Sequence, residues 1–400
     1  MNDTLLLTVT GKDRPGVTSA IFDVLAQAGV SVVDLEQIVV RRRLLLAVLV
    51  TAPHDSKRLE ASLEQALVRL GMTVEIERGS GDNTTRAVGR SHVTVIGAPL
   101  KAAAMSAVAG RIADAGGNID RIERMARYPV TAIELDVSGI DPARLRTSLA
   151  TEGARQGIDV AVQPASLLRH GVRLIVMDVD STLIEGEVIE MLAEHAGFGP
   201  EVAEITERAM QGEIDFAESL RARVACLEGL DASVLDEVYD QIVVNPGART
   251  LVRTLRRLGY RFAIVSGGFS QITDRLAADL GIHRARANTL EVVDGRLTGK
   301  VLGEIVDRAG KARALLEFAE DLGIPEQATI AIGDGANDLD MLAAAGLGIA
   351  YNARAVVREA ADTTLNVPYL DSIMYLLGIR REEIEAADAA DGIVTPAPPV

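Results

Sequence analysis

Residues 173–179 read as an apolar strand that runs into two carboxylates, in Val176-Met177-Asp178-Val179-Asp180-Ser181-Thr182-Leu183. Ligands of open α/β sheets sit at the carboxyl ends of the strands, so acids placed there have a chemical use. One carboxylate can attack phosphorus as a nucleophile. The other can protonate a departing alkoxide and then take a proton from water. Taken alone, Asp178 would serve equally as a helix N-cap and Asp180 as a turn residue.

A second acidic segment, Ala331-Ile332-Gly333-Asp334-Gly335-Ala336-Asn337-Asp338, also follows an apolar strand. Gly333 and Gly335 permit close backbone approach. Mg2+ takes hard oxygen ligands, commonly one or two carboxylates with water and phosphate, and Asp178 and Asp334 could supply them from two strand ends. Between the acidic segments lies Ile264-Val265-Ser266-Gly267-Gly268-Phe269. There a hydroxyl and free backbone N–H groups at a helix start can hold phosphate oxygens. Lys311 opens the helix before the Asp334 strand and can neutralise charge on a transferring phosphoryl group. Separately, these segments also fit a glycine turn with an N-cap at Asp338, a plain strand-to-helix turn and a solvated lysine.

In the order acid pair, serine, lysine, acid cluster, the set resembles the haloacid dehalogenase-like phosphatases. The resemblance implies Asp178 as nucleophile and Asp180 as general acid/base. It also implies Mg2+ held by the side chains of Asp178 and Asp334 and the main-chain carbonyl of Asp180, with Asp338 supporting the metal. Asn337 would order the site beside the substrate, and Ser266, Gly267 and Lys311 would hold the phosphoryl group. Past the first acid pair, Ser181-Thr182-Leu183-Ile184-Glu185 is followed by Met210-Gln211-Gly212-Glu213-Ile214-Asp215-Phe216-Ala217-Glu218-Ser219-Leu220-Arg221-Ala222-Arg223-Val224. This is similar to the small helical cap of phosphoserine phosphatases, and the likeness covers about residues 173–377.

Free phosphoserine carries a phosphate, an ammonium and a carboxylate. By this resemblance Glu185 pairs with the ammonium and Arg223 grips the carboxylate through its planar fork. Phe216 closes the pocket against water and Met210 lines it. A core role for Phe216 and pairing of Arg223 with Glu218 or Glu228 are the alternatives. The expected reaction is hydrolysis of O-phospho-L-serine through an aspartyl phosphate, the last step of serine biosynthesis. Its rivals are action on another small phosphomonoester, phosphoryl transfer to an alcohol, and a non-catalytic amino-acid sensor.

These side chains need a scaffold that brings distant segments together. After residue 173 comes a helical stretch over 187–242. Beyond it are a strand at 261–265, helices at 269–280 and 311–322, a strand at 329–332, a helix at 338–345 and a strand at 348–350. Such alternation predicts a parallel, Rossmann-like α/β sheet with helices on both faces. The phosphatase domain is expected over 171–385, with its cap at about 187–245. The Ala- and Pro-rich residues 386–400 are expected to be a disordered tail.

Before this domain, strands at 5–10, 32–40, 44–51 and 73–76 alternate with helices at 16–28 and 59–70 in the order βαββαβ. Val17, Ile21, Val24, Leu25 and Ala28 form one face of the first helix. After a polar linker at 79–90 the order repeats, with strands at 92–96, 118–125, 131–137 and 160–162 and helices at 102–115 and 142–151. The two ferredoxin-like copies, 1–80 and 90–166, resemble ACT domains, which commonly bind amino acids and pair across subunits. That implies a homodimer and an amino-acid effector such as serine at Asp13 and Gly16, in the loop Gly11-Lys12-Asp13-Arg14-Pro15-Gly16. The second copy reads Gly97-Ala98-Pro99 and lacks this loop form. The alternative is that both copies serve in dimerisation alone.

The formal net charge of -16 argues against nucleic acid and anionic membranes as partners. It does not exclude a phosphate substrate, because surface charge is screened beyond roughly 8 Å at physiological salt. Cys226 is the only cysteine, so no intrachain disulfide forms, and a reducing cytoplasm fits. The first residues do not read as a signal peptide, and the apolar run at 44–50 is too short to span a bilayer.

Overall fold

A computed structural model of the chain describes residues 3–81, 89–210 and 213–395, without the side chains of His170 and Met210. It divides into two compact units, Met1–Ala87 and Val88–Val400. In the first, Leu5, Leu7 and Val9 alternate along β1 (Asp3–Lys12) and are buried on one face, as the two-residue period of a strand requires. Helices α1 (Val17–Gln27) and α2 (Ser56–Arg69) lay Val17, Ile21 and Leu25, and Leu59, Leu63 and Leu67, onto that face. Side chains four positions apart share one helical stripe. With β2 (Val32–Val40), β3 (Arg43–Thr51) and β4 (Met72–Ser80), the antiparallel sheet has the order β2-β3-β1-β4.

The second unit opens with the same layout: β5 (Ser91–Gly97), α3 (Ala102–Asp114), β6 (Asn118–Ala126), β7 (Thr131–Ser138), α4 (Pro142–Gln156) and β8 (Asp159–Pro164). In this sheet, ordered β6-β7-β5-β8, strands β5 and β8 are covered on both faces, while β6 is largely exposed. Val93 and Val95 pack under the two helices, while Ile96, Ala132 and Ala161 join the core of the α/β layer that follows. Asp159 fastens the two layers by accepting from Asn366 N (2.8 Å), Asn366 Nδ2 (2.6 Å) and Thr364 Oγ1 (3.1 Å).

The α/β layer begins at β9 (Leu174–Met177) and continues through α5 (Val188–Ala196), α6 (Gly199–Met210), α7 (Phe216–Ala225), α8 (Val234–Gln241) and α9 (Ala248–Arg257). Next come β10 (Arg261–Phe269), α10 (Ser270–Leu280), the hairpin β11 (Arg284–Val293) and β12 (Arg296–Leu302), and α11 (Arg308–Asp321). The chain then forms β13 (Thr329–Gly333), α12 (Leu339–Ala344), β14 (Leu347–Tyr351), α13 (Ala355–Ala360), β15 (Thr363–Leu365), α14 (Ile373–Leu376) and α15 (Arg381–Ala390). The seven-stranded sheet has the order β12-β11-β10-β9-β13-β14-β15. All four residues of β9 are buried, as expected of a central strand covered on both faces. Its register places Met177 beside Ile264 of β10 and Ile332 of β13. The residues that follow these three positions therefore emerge at one end of the sheet.

Three features differ from the sequence reading. The strand ends at Met177 rather than residue 179, because Val179 O turns to accept from Leu183 N (2.9 Å) and Ile184 N (3.0 Å). The β11–β12 hairpin and the short edge strand β15 were not anticipated. Residues 386–390, expected in a disordered tail, instead complete α15. Their alanines favour a helix, and Asp388 anchors it. Its fully buried carboxylate takes Arg253 Nε (3.0 Å), Arg253 Nη2 (2.6 Å) and Arg257 Nη1 (2.6 Å). Residues 396–400 of the expected tail lie outside the described residues.

Burial opposes ionisation of Asp388, but bonds from Arg253, Arg257 and Thr395 outweigh it and hold the pKa at about 2, below its ordinary 3.8. A depressed folded-state value stabilises above the unfolded value and loses that stabilisation as pH falls toward the folded one. The contribution of Asp388 should therefore be complete above pH 3.8 and fade toward pH 2. Asp388→Ala should lower unfolding stability by about 2 kcal/mol at neutral pH, read by urea denaturation, and the difference should shrink in acid.

Candidate active site

Three carboxylates converge where β9 and β13 end. Ligand-type oxygens of Asp178, Asp334 and Asp338 lie within 4.8 Å of one another. One buried ammonium sits among them: Lys311 Nζ is 2.8 Å from Asp178 Oδ1 and 2.7 Å from Asp338 Oδ1. Lys311 reaches them from the first turn of α11, whose N-cap Asp307 accepts from Gly310 N at 2.7 Å. Asp338 spends its other oxygen on Gly335 N (3.0 Å), which folds the acidic loop back on itself. A Cβ on Gly333 would lie 2.4 Å from the Asp338 carboxyl carbon, so only glycine lets the loop close this tightly.

Three negative charges against one positive leave a surplus of two. Burial raises the Asp178 pKa, and the Asp338 charge adds to it against the pull of Lys311. Burial and then Asp338 push Asp334 up to about 6, opposed by a 3.0 Å bond from Thr182 Oγ1. Burial works against the charge on Lys311, but Asp178 and Asp338 overcome it and move its pKa upward. A divalent cation among hard carboxylate oxygens would offset that surplus, so the donor set fits a metal.

Asp180 stands apart from this cluster. Its Oδ1 accepts from Val188 N (2.8 Å) and its Oδ2 from Ser266 Oγ (3.0 Å). Burial raises its pKa despite those two bonds, which suits a carboxyl that must give up a proton. Ser266 Oγ in turn accepts from Gly268 N at 2.7 Å. A Cβ on Gly268 would come within 2.9 Å of Asp180 Oδ2, and one on Gly267 within 2.9 Å of the Phe216 ring. These two glycines let the β10 loop pass between the acid and the cap.

A cavity of about 790 Å³ opens over these groups. Its wall includes Asp178, Asp180, Gly267, Asp334 and Asn337 from the sheet side and Phe216 and Arg223 from the cap. Lys311 and Asp338 lie buried beneath it. Arg223 has no carboxylate partner among the described residues, only its own-helix bond to Ser219 O (3.4 Å), so neither Glu218 nor Glu228 takes it. Burial lowers its pKa while Glu187, Asp180 and Glu190 raise it.

Glu185 does not reach this cavity. It is exposed, and its N–H donates to Val243 O (2.8 Å) beside the bridge between Ile184 and Val244. The glutamates that line the cavity are Glu187 and Glu190, and Glu187 is brought inward after Gly186 turns at φ 78°. Burial, then Asp180 and Asp334, raise the Glu187 pKa to about 8, and Ser181 Oγ donates to it at 3.2 Å. Glu185 and Glu187 both follow the acid pair closely, so spacing alone could not choose between them. Met210 ends α6, but its side chain lies outside the described residues. Asp13 and Gly16 belong to the other unit, exposed, with Gly16 capping α1 at φ 92°.

Asn288 was missed by the sequence reading. It is buried on β11, donates Nδ2 to Gly267 O (2.7 Å) and accepts Val306 N at Oδ1 (2.8 Å). It thus ties the Ser266 loop to the segment leading into the Lys311 helix. Asn245 was missed as well; its Nδ2 holds Thr182 O at 2.7 Å and so fixes the turn after Asp180.

Comparison with known proteins fits this geometry. Residues 175–343 match the haloacid dehalogenase-like hydrolase family, and residues 3–77 and 90–163 each match an ACT domain family. The chain is 59% identical to a phosphoserine phosphatase of Streptomyces coelicolor, over 96% of this chain and 94% of that one. The chain belongs to the phosphoserine phosphatase family. It is also 52% identical to phosphoserine phosphatase SerB2 of Mycobacterium tuberculosis, over 97% of this chain and 96% of that one. Among solved structures, a probable phosphoserine phosphatase of Vibrio cholerae aligns at a TM-score of 0.59 and 34% identity, covering 75% of this chain and 88% of that one.

Within this family frame, Asn288 acts through the loop it holds. Asn288→Ala should lower kcat on a phosphomonoester about 10²-fold, the scale on which displaced groups lose rate, with a smaller change in KM. Steady-state phosphate release on the folded variant checks this; unchanged kcat would remove Asn288 from any positioning role.

Proposed function

We propose that the chain hydrolyses O-phospho-L-serine to L-serine and phosphate, the last step of serine biosynthesis, on the residues above. The observation that carries this reading is a carboxyl and a guanidinium in one cavity, Glu187 and Arg223, beside the acid pair. Phosphoserine presents an ammonium to match Glu187 and a carboxylate to match the Arg223 fork. Phe216 closes the cap side against water.

Asp178 is the nucleophile. Lys311 and Val179 N (2.8 Å) both hold its Oδ1, which leaves Oδ2 for in-line attack. The seryl P–O bond breaks as an aspartyl phosphate forms, and Asp180 protonates the serine oxygen. Asp180 then takes a proton from water, whose oxygen attacks phosphorus and releases phosphate with Asp178 restored. Ser266, the Gly267 backbone and Lys311 stabilise charge on the phosphoryl oxygens. Mg2+ would be held by Asp178, Asp334 and the Asp180 main-chain carbonyl, with Asp338 beside it and Asn337 on the substrate side. Bound there, it would neutralise negative charge on the phosphoryl group.

We also place a homodimer, an amino-acid effector such as serine at Asp13 and Gly16, and a cytoplasmic location within this reading. The exposed apolar residues Leu35, Ile38 and Val40 of β2 support pairing between chains. Among the described residues, no helix is long and apolar enough to cross a membrane. We keep 1–80 and 90–166 as the ACT copies and 171–385 as the phosphatase domain, the last extended to the end of α15.

Asp178→Asn should remove phosphoserine turnover while circular dichroism stays unchanged; substantial residual turnover would rule out Asp178 as nucleophile. Glu187→Gln should raise KM for phosphoserine about tenfold, and Glu185→Gln should leave it unchanged. The reverse pattern would return the ammonium to Glu185. Chelation with EDTA should abolish activity and added Mg2+ restore it, whereas Asp334→Asn should demand far more Mg2+ for half-maximal rate.

A further inference from the structure

Helix α9 carries Arg249, Arg253, Arg256 and Arg257, positions separated by four, three and one. That spacing lines them along one face, while Leu251, Val252 and Leu255 are buried on the other. Arg261, at the start of β10, continues the stripe. Together with His283 these five arginines border a groove of about 540 Å³. The groove shares no wall residue with the catalytic cavity. It opens at the start of β10, whereas Ser266 stands near that strand's other end.

Like charges at helical spacing repel by a few tenths of a kcal/mol per pair, so such a stripe calls for counter-anions. Half of it has them. Asp388 and Asp391 of α15 occupy Arg253 and Arg257, which shows that the stripe takes an oxyanion through several N–H bonds at once. The other half is open: Arg249, Arg256 and Arg261 have no carboxylate partner among the described residues. Arg256 makes only a 3.5 Å bond to Leu280 O, and Arg261 Nη1 lies 3.3 Å from His283 Nε2. Asp279, which accepts from the Tyr239 hydroxyl, adds one negative charge to the groove wall against these three guanidinium groups. Gly281 keeps the wall clear, since a Cβ there would lie 1.9 Å from Arg256 Nη1. The surrounding field is positive: burial and then Arg261 and Arg256 depress the His283 pKa. In a chain of net charge -16, this concentration of unpaired guanidinium groups is a local reversal of sign.

We propose that the groove formed by Arg249, Arg256 and Arg261 is a second anion site, binding a small oxyanion with two or more negative charges, apart from the catalytic cavity. Planar guanidinium groups bind phosphate and carboxylate alike in bidentate fashion, so the source is a phosphorylated or a polycarboxylate metabolite.

The test is calorimetric titration of the full chain, in EDTA and at fixed ionic strength, with inorganic pyrophosphate and in parallel with citrate. At least one of the two should bind, and the double variant Arg256→Ala, Arg261→Ala should weaken it about tenfold or more. Pyrophosphate alone would identify a phosphate ligand, and citrate alone a polycarboxylate. Circular dichroism reports whether the double variant folds. Should it not, Arg249→Gln decides, because this exposed side chain makes no hydrogen bond or ion pair among the described residues, and it should weaken binding several-fold. No binding of either anion overturns the proposal. So does binding that every folded arginine variant retains, since it then belongs to the catalytic cavity.

Discussion

A single buried ammonium organises the catalytic end of the molecule. Lys311 comes from α11, Asp178 from the end of β9, and Asp338 from the loop beyond β13, and the lysine bonds to both acids. Burying an unpaired charge is costly, and breaking a buried pair leaves an uncompensated charge behind. Each partner therefore depends on the other two being in place. The register of β9 with β10 and β13 makes that convergence unavoidable once the sheet forms. The arrangement remains short of positive charge: burial and then the neighbouring Asp338 charge raise the pKa values of Asp178 and Asp334, and that surplus of negative charge makes the site receptive to a metal.

The two acids of the first motif are separated by their surroundings. Asp178 belongs to the lysine cluster, whereas Asp180 is turned toward Ser266 and the start of α5. Ser181, directly after Asp180, adopts φ 57°, a left-handed conformation uncommon outside glycine. The turn closed on Val179 O, and held from behind by Asn245, places these neighbouring carboxylates in different environments and so suits them to different chemical tasks.

The two ferredoxin-like copies share an order of elements but have different fates. In the second, β5 and β8 are buried and residues of the sheet share a core with the α/β layer, although β6, like its counterpart β2 in the first, is largely exposed. Charge is also unevenly placed. Arg253 and Arg257 hold α15 through Asp388, while their neighbours on the same helix face an open groove.

Much of this was legible in the sequence because it rests on local pattern. Alternation in β1, the stripe on α1 and the apolar run before Asp178 each express a period that the backbone imposes. The four chemical segments were likewise readable from residue type and order, and the family comparison agrees with the reading they supported. What the sequence could not decide was which side chain faces which. Glu185 and Glu187 are equivalent by type and nearly so by spacing, and only the turn at Gly186 sends one to solvent and the other into the cavity. Asn288 lies far along the chain from the loop it holds, inside a hairpin with no motif of its own. The Ala-rich C-terminus looked like a tail until a distant arginine pair gave Asp388 its partners. Periodicity and motif order are properties of neighbouring residues, so the sequence carries them alone. Orientation at a turn and pairing across the chain depend on contacts that exist only once the sheet has assembled.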